Sequence, residues 1–169
     1  MSTARFIKGA TASSVDSIAL TDCFSDDYQV YKVTISPIDF GGSGADLFVR
    51  FINSAGSIVD ESNYRDAVYL QRSYGAFVQN QSDNVDGIGS IGFSDLSNKG
   101  SGTTMYVFKP ADPATHTLIT WQNAGASASG TPVRRGVGEL EQLVSITGIR
   151  FHQSDILNIS VNVYGIREE

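Results

Sequence analysis

Residues 157–163 alternate without a break: Leu157, Ile159, Val161 and Val163 fall on one side, Asn158, Ser160 and Asn162 on the other. A period of two is that of a strand with one packed face and one wet face. A helical period would group Leu157 with Val161 and Tyr164 and strand Ile159 and Val163 elsewhere. Residues 30–35 repeat the pattern, with Tyr31, Val33 and Ile35 on one face. Residues 47–52 are apolar throughout except Arg50, which predicts a central strand covered on both faces. Strands are also expected over 88–93, 103–108, 117–121, 133–140 and 146–152. Between them lie turn signals such as Gly41-Gly42-Ser43-Gly44, Asn53-Ser54-Ala55-Gly56 and residues 97–102 and 126–130.

About eight strands, separated by Gly- and Ser-rich turns, predict an all-β fold: an antiparallel β-sandwich, jelly-roll-like. No segment carries a sustained helical stripe, and residues 14–24 and 63–74 offer at most a turn or two of helix. Neither repeats nor a long linker divide the chain. Its 169 residues suit one sandwich domain over 17–169, preceded by a polar N-terminal arm, residues 1–16, able to dock on a neighbour. Composition agrees with this reading. Only 18% of residues are charged while 41% are hydrophobic, with 17 glycines, the balance of packed strands joined by many turns.

A formal net charge of −6 argues against nucleic acid as a partner, because phosphate binding needs clustered Lys and Arg. The adjacent pair Arg134-Arg135 is followed at once by Gly136 and Glu139 and reads as a solvated or interface feature. Cys23 is the only cysteine, so stability must come from the core or from assembly. No apolar h-region follows Met1-Ser2-Thr3-Ala4-Arg5, and no stretch has the length of a membrane span. Synthesis in the cytosol, without membrane insertion, is the expectation.

Gly87-Ile88-Gly89-Ser90-Ile91-Gly92 matches the dinucleotide fingerprint in letters. That chemistry needs a strand before the glycines and a helix opening after them. Here polar residues precede and a Gly-rich turn follows, so a glycine-rich strand is predicted and no cofactor. His116 and His152 lack a nucleophile elbow nearby, and with one distant cysteine they do not form a zinc pattern. Asp22, Asp26 and Asp27, and the run Asp83-Asn84-Val85-Asp86-Gly87, lack the alternating spacing of a calcium loop and read as Asx-turns. No carboxylate pair stands out for glycosidase chemistry. No catalytic or metal-binding residue is therefore assigned, and the protein is expected not to be an enzyme.

Aromatic residues give the candidate binding site. Tyr64, Tyr69 and Tyr74, with Phe77, fall in the least regular part of the chain beside Asn63, Arg65 and Gln71. Exposed rings stack on the apolar faces of sugars while polar neighbours hydrogen-bond the hydroxyls. The competing reading places these rings at one end of the core, as is expected of Trp121.

Three stretches carry a family likeness: residues 26–35, opening Asp26-Asp27-Tyr28-Gln29-Val30-Tyr31-Lys32; residues 47–56, an arginine-bearing strand running into a glycine turn; and residues 146–151, closed by 161–166. Together they resemble the jelly-roll modules of tail-fibre and other virion proteins of tailed bacteriophages. The resemblance implies a structural virion protein, trimeric, associated with other virion proteins and contacting a host-surface glycan from a tail or fibre. The absence of a shaft ahead of the sandwich raises a capsid decoration or cement role, and an adaptor or baseplate part, as alternatives. A stand-alone carbohydrate-binding module, or a hydrolase on the same fold, is the reading from another class.

Overall fold

The computed structural model describes residues 3–41, 45–94, 100–125 and 130–167. They form ten strands: β1 (Thr3–Leu20), β2 (Val30–Phe40), β3 (Ala45–Asn53), β4 (Tyr64–Arg72), β5 (Val78–Val85), β6 (Ile88–Ser94), β7 (Gly102–Phe108), β8 (Thr117–Ala124), β9 (Pro132–Leu140) and β10 (Ile146–Arg167). All are paired antiparallel in the order β5-β4-β9-β8-β7-β2-β10-β3-β6, with β1 on the remaining edge of β10. The all-β, antiparallel expectation holds. There is no helix among the described residues, so the two short helical candidates are corrected: residues 14–24 finish β1 and residues 63–74 contain β4.

The strand count of about eight is also corrected to ten. The two segments expected at 146–152 and 157–163 are halves of one strand, β10, which is 22 residues long. Its polar middle, Gln153-Ser154-Asp155, continues the strand instead of turning it. Asp155 takes a positive φ of 70°, and the pairing with β2 shifts register between Ile156 and Asn158. Such irregularity bends a strand. On one side of the bend β10 pairs with β3 through residues 146–152, and on the other with β2 through residues 156–166. β1 follows the opposite edge along nearly the whole length, from Arg167 back to Ile149. The segment read as a polar arm is described from Thr3 onward as part of this strand.

The bend lets the sheet curl so that β6, at one end of the order, reaches β7 and β8 in its middle. Side chains make that closure. Trp121 Nε1 donates to Ser90 O at 3.1 Å, Thr103 Oγ1 to Ile91 O at 2.7 Å and Ser101 Oγ to Phe93 O at 2.6 Å. Carbonyls that lack a ladder partner must find another donor when buried. Asn123, buried, ties the donors together by bonding Ser101 Oγ, Thr103 Oγ1 and Gly102 O. Inside the curl the inward residues pack fully: Val33 and Ile35 of β2, Val49 and Phe51 of β3, Ile88 and Ile91 of β6 are all 0% exposed.

β3 differs from its expectation on one face. Leu47, Val49 and Phe51 point inward, but Phe48 is exposed and Arg50 reaches the surface. Its outer face is thus open at Phe48 and partly so at Arg50, while Ile52 on the same phase is buried.

Candidate ligand-binding face

The outer face of β5, β4, β9, β8 and β7 follows from strand parity. In β8 the burial alternates strictly, with Thr117, Ile119, Trp121 and Asn123 inside and Leu118, Thr120, Gln122 and Ala124 outside. Register carries the outside positions across the sheet. Gln79, Tyr69, Arg135, Gln122 and Thr104 form one row from β5 to β7; Gln81, Ala67, Val137, Thr120 and Tyr106 form the next. Shallow depressions lie on this face: Tyr69, Gln79, Gln81 and Arg135 line one, Thr34, Thr104, Tyr106 and Gln122 another, and Arg65, Asp83, Leu118 and Glu139 a third.

The three candidate tyrosines separate. Tyr69 stands on the outer face, 39% exposed, with its ring centroid 5.9 Å from that of Phe77. Tyr74 sits in the β4–β5 turn, 42% exposed, against the Gly130 backbone, where an added Cβ would lie 2.6 Å from the ring. Tyr64 is corrected: it is 0% exposed, stacked on Phe51, and its hydroxyl is used internally. That hydroxyl donates to Val59 O at 2.8 Å and accepts from the Phe51 N–H at 2.9 Å. Burial pushes its pKa up. A ring fixed this way is a core residue and contacts no external ligand. Trp121 is in the core, as expected.

At the β5–β4–β9 end the face is rimmed by charge. Arg65 bonds Asp83 at 2.6 Å and Glu141 at 2.7 Å, and His116 Nδ1 lies 2.7 Å from Glu139. Asp86 pairs with Arg50, so both aspartates of the 83–87 run are engaged by arginines. Among the described residues no three or more His, Cys, Asp or Glu side chains gather as metal ligands. The Arg134-Arg135 pair splits by parity. Arg134 pairs with Asp46 of β3 and lies 4.6 Å over the Phe93 ring, while Arg135 faces outward beside Tyr69.

Arg135, Gln79, Gln81 and Gln122 were not among the sequence candidates. Their signal is weak but present: each occupies the polar phase of a strand, as Gln122 does between the buried Trp121 and Asn123. From Ile88 onward the Gly87–Gly92 run belongs to β6, the glycine-rich strand predicted; the polar residues before it, expected not to be a strand, form β5, and Ser90 within β6 takes a positive φ of 58°.

No family model matches this chain, and no curated protein matches it. Similar solved structures include the SPBc2 prophage-derived protein YomS, at 6% identity over 99% of this chain and 94% of that one, with a TM-score of 0.31. Another is congerin II with lactose and MES bound, at 14% identity over 96% and 100%, with a TM-score of 0.32. A third is the CBM2 module of the evolved Dit of Lactobacillus casei BL23 phage J-1, at 9% identity over 90% and 69%, with a TM-score of 0.27. Scores of this size carry no argument about function.

Proposed function

We propose that this chain is a non-catalytic adhesion protein of a tailed-phage virion, a jelly-roll-like β-sandwich that holds host-surface glycan on the outer face of β4, β5, β8 and β9. The observation that carries the glycan reading is Tyr69, an exposed ring whose register neighbours are Gln79 and Arg135. A pyranose offers an apolar face to stack on such a ring, and hydroxyls for amide and guanidinium groups to bond. The depression beside Tyr69 is a shallow hollow on the sheet surface, which suits a polysaccharide lying across it better than an enclosed small molecule. The virion setting is supported by the resemblance of residues 26–35, 47–56 and 146–166 to phage jelly-roll modules. Assembly as a homotrimer would multiply a weak single-site affinity.

A second reading, capsid decoration, is favoured by Tyr106, Leu118 and Val137, exposed by 38%, 43% and 49% on neighbouring strands of the same face. An apolar group like this suits a protein contact on a shell. An array of bacterial surface saccharides, probed with the purified protein and with Tyr69→Ala, tests the first reading. Binding by the wild type that is lost in the variant is expected. No binding to any saccharide overturns it. Locating the protein on purified particles by cryo-electron microscopy then separates tail from capsid.

A further inference from the structure

Away from the Tyr69 face, β1, β3 and β10 gather two arginines and a histidine. Arg150 of β10 is the register partner of Arg50 of β3. Two residues on, His152 is the partner of Phe48 on β3 and of Ser17 on β1. Directly opposed residues on antiparallel strands have Cβ atoms about 4.5–5.5 Å apart, and like charges so placed are destabilising. The two guanidinium groups therefore call for negative charge, and Asp86 and Asp16 are the carboxylates that line the same depression.

Arg50 pairs with Asp86, a side chain 65% exposed, while its own Nε is buried with no hydrogen-bond partner among the described residues. Arg150 has Ser17 Oγ at 3.1 Å and no ion pair among the described residues. His152 stacks on Phe48 at 5.6 Å, and its Nε2 is buried with no hydrogen-bond partner among the described residues. Asp16 of β1 is the other acidic group at this place, and its Oδ1 accepts the Asp155 N–H at 3.4 Å. Burial first, then Arg50 and Arg150, lower the His152 pKa, with Asp86 opposing.

Gly87, just before β6, and Gly89 within it shape the depression that these groups line. A Cβ on Gly87 would lie 3.2 Å from Arg50 Cγ, and one on Gly89 3.1 Å from Phe48 Cε1. Their absence lets both side chains lie flat over the β6 backbone, so the arginine and the ring are held down beside β10.

We propose that this cluster is an oxyanion site, in which Arg150 and Arg50 hold a carboxylate or sulfate group beside the His152 ring. Guanidinium groups suit both anions because their fixed N–H pairs match two oxygens at once. That the anion belongs to an acidic saccharide rests on the glycan reading; the site itself does not.

The test uses the full chain and its two histidines, His116 serving as the internal reference. Each imidazole is titrated by NMR in sodium chloride, then at matched ionic strength in sodium sulfate and in sodium glucuronate. An anion seated beside His152 favours its charged form, so its pKa is expected to rise by about half a unit or more while His116 stays put. Arg150→Gln should abolish the rise, and Arg150→Lys should restore part of it. A response to sulfate, to glucuronate or to both upholds the site and names the anion. An unmoved His152, equal movement of both histidines, or a rise that survives in Arg150→Gln overturns it. These outcomes are read without any saccharide array, so the site and the glycan reading fail separately.

Discussion

Gly136→Ala is the substitution that most sharply tests how the outer face is supported. Gly136 of β9 pairs across the sheet with Trp121 of β8, the only tryptophan in the chain. A Cβ built on Gly136 would lie 2.1 Å from Trp121 Cζ2 and 2.4 Å from Cη2, far inside van der Waals contact. The neighbour is the body of a rigid ring, 4% exposed and anchored by its bond to Ser90 O, so it cannot simply swing aside. Overpacking a core typically costs about 1–3 kcal/mol, and this contact belongs at the upper end, about 3 kcal/mol. For a chain of this size that corresponds to a fall in Tm of about 6–12 °C. Thermal and urea unfolding followed by far-UV circular dichroism give the stability, and tryptophan fluorescence reports the displaced ring as a red shift. Trp121→Phe should relieve the clash, making the alanine less costly in the double variant than alone. Gly75→Ala, whose nearest neighbour is Arg72 Cδ at 4.0 Å, is the silent control. A Gly136→Ala protein as stable as the wild type, with unchanged fluorescence, would refute the reasoning.

Three further outcomes are expected. Tyr64→Phe leaves the Phe51 N–H without its acceptor in a closed core and should cost about 1–3 kcal/mol while leaving saccharide binding intact; equal stability, or lost binding in a folded variant, contradicts this. Asp66, whose pKa is raised by burial against hydrogen bonds from Gly89 and Ser82, holds its proton more tightly folded than unfolded. Its contribution is present below the ordinary carboxylate value and is lost as pH rises through the raised one. Wild type should thus gain on Asp66→Asn as the pH is lowered through that range, and urea curves that stay parallel at every pH would sink the idea. Burial, opposed mainly by Lys8, pushes the Cys23 thiol up to about 12, so a thiol reagent should label the folded protein slowly and the unfolded chain fully. Fast labelling without loss of structure would place Cys23 outside the core.

What the sequence showed and what it hid have one cause. Strands with one face in the core, such as β2, β8 and the C-terminal half of β10, write the core into their alternation. β1 and β5 have little core to write. Most of β1 is exposed until Ile18 and Leu20, and Val78–Val85 has no buried residue at all. Beyond the partly buried Ile7, Ala10, Ala12, Val15 and Val85, they are held by ladder hydrogen bonds to β10 and β4, which leave no mark on side-chain pattern. β4 was ambiguous because Tyr64 and Val68 are four apart, a spacing that serves a strand face and nearly serves a helical one. Once β4 is a strand, parity alone puts Tyr64 and Tyr69 on opposite faces, and the candidate site could not have held both. Arg50, Arg150 and His152 could not be joined from sequence, since a register between strands about 100 residues apart brings them together.

The most direct test of glycan binding on the outer face is NMR chemical-shift mapping of the labelled protein with a saccharide that it retains on the array. Shifts concentrated on Tyr69, Gln79, Gln81, Gln122 and Arg135, and absent from the same titration of Tyr69→Ala, are the predicted result. Shifts confined to strands away from β4, β5, β8 and β9, with Tyr69→Ala binding as well as the wild type, would contradict it.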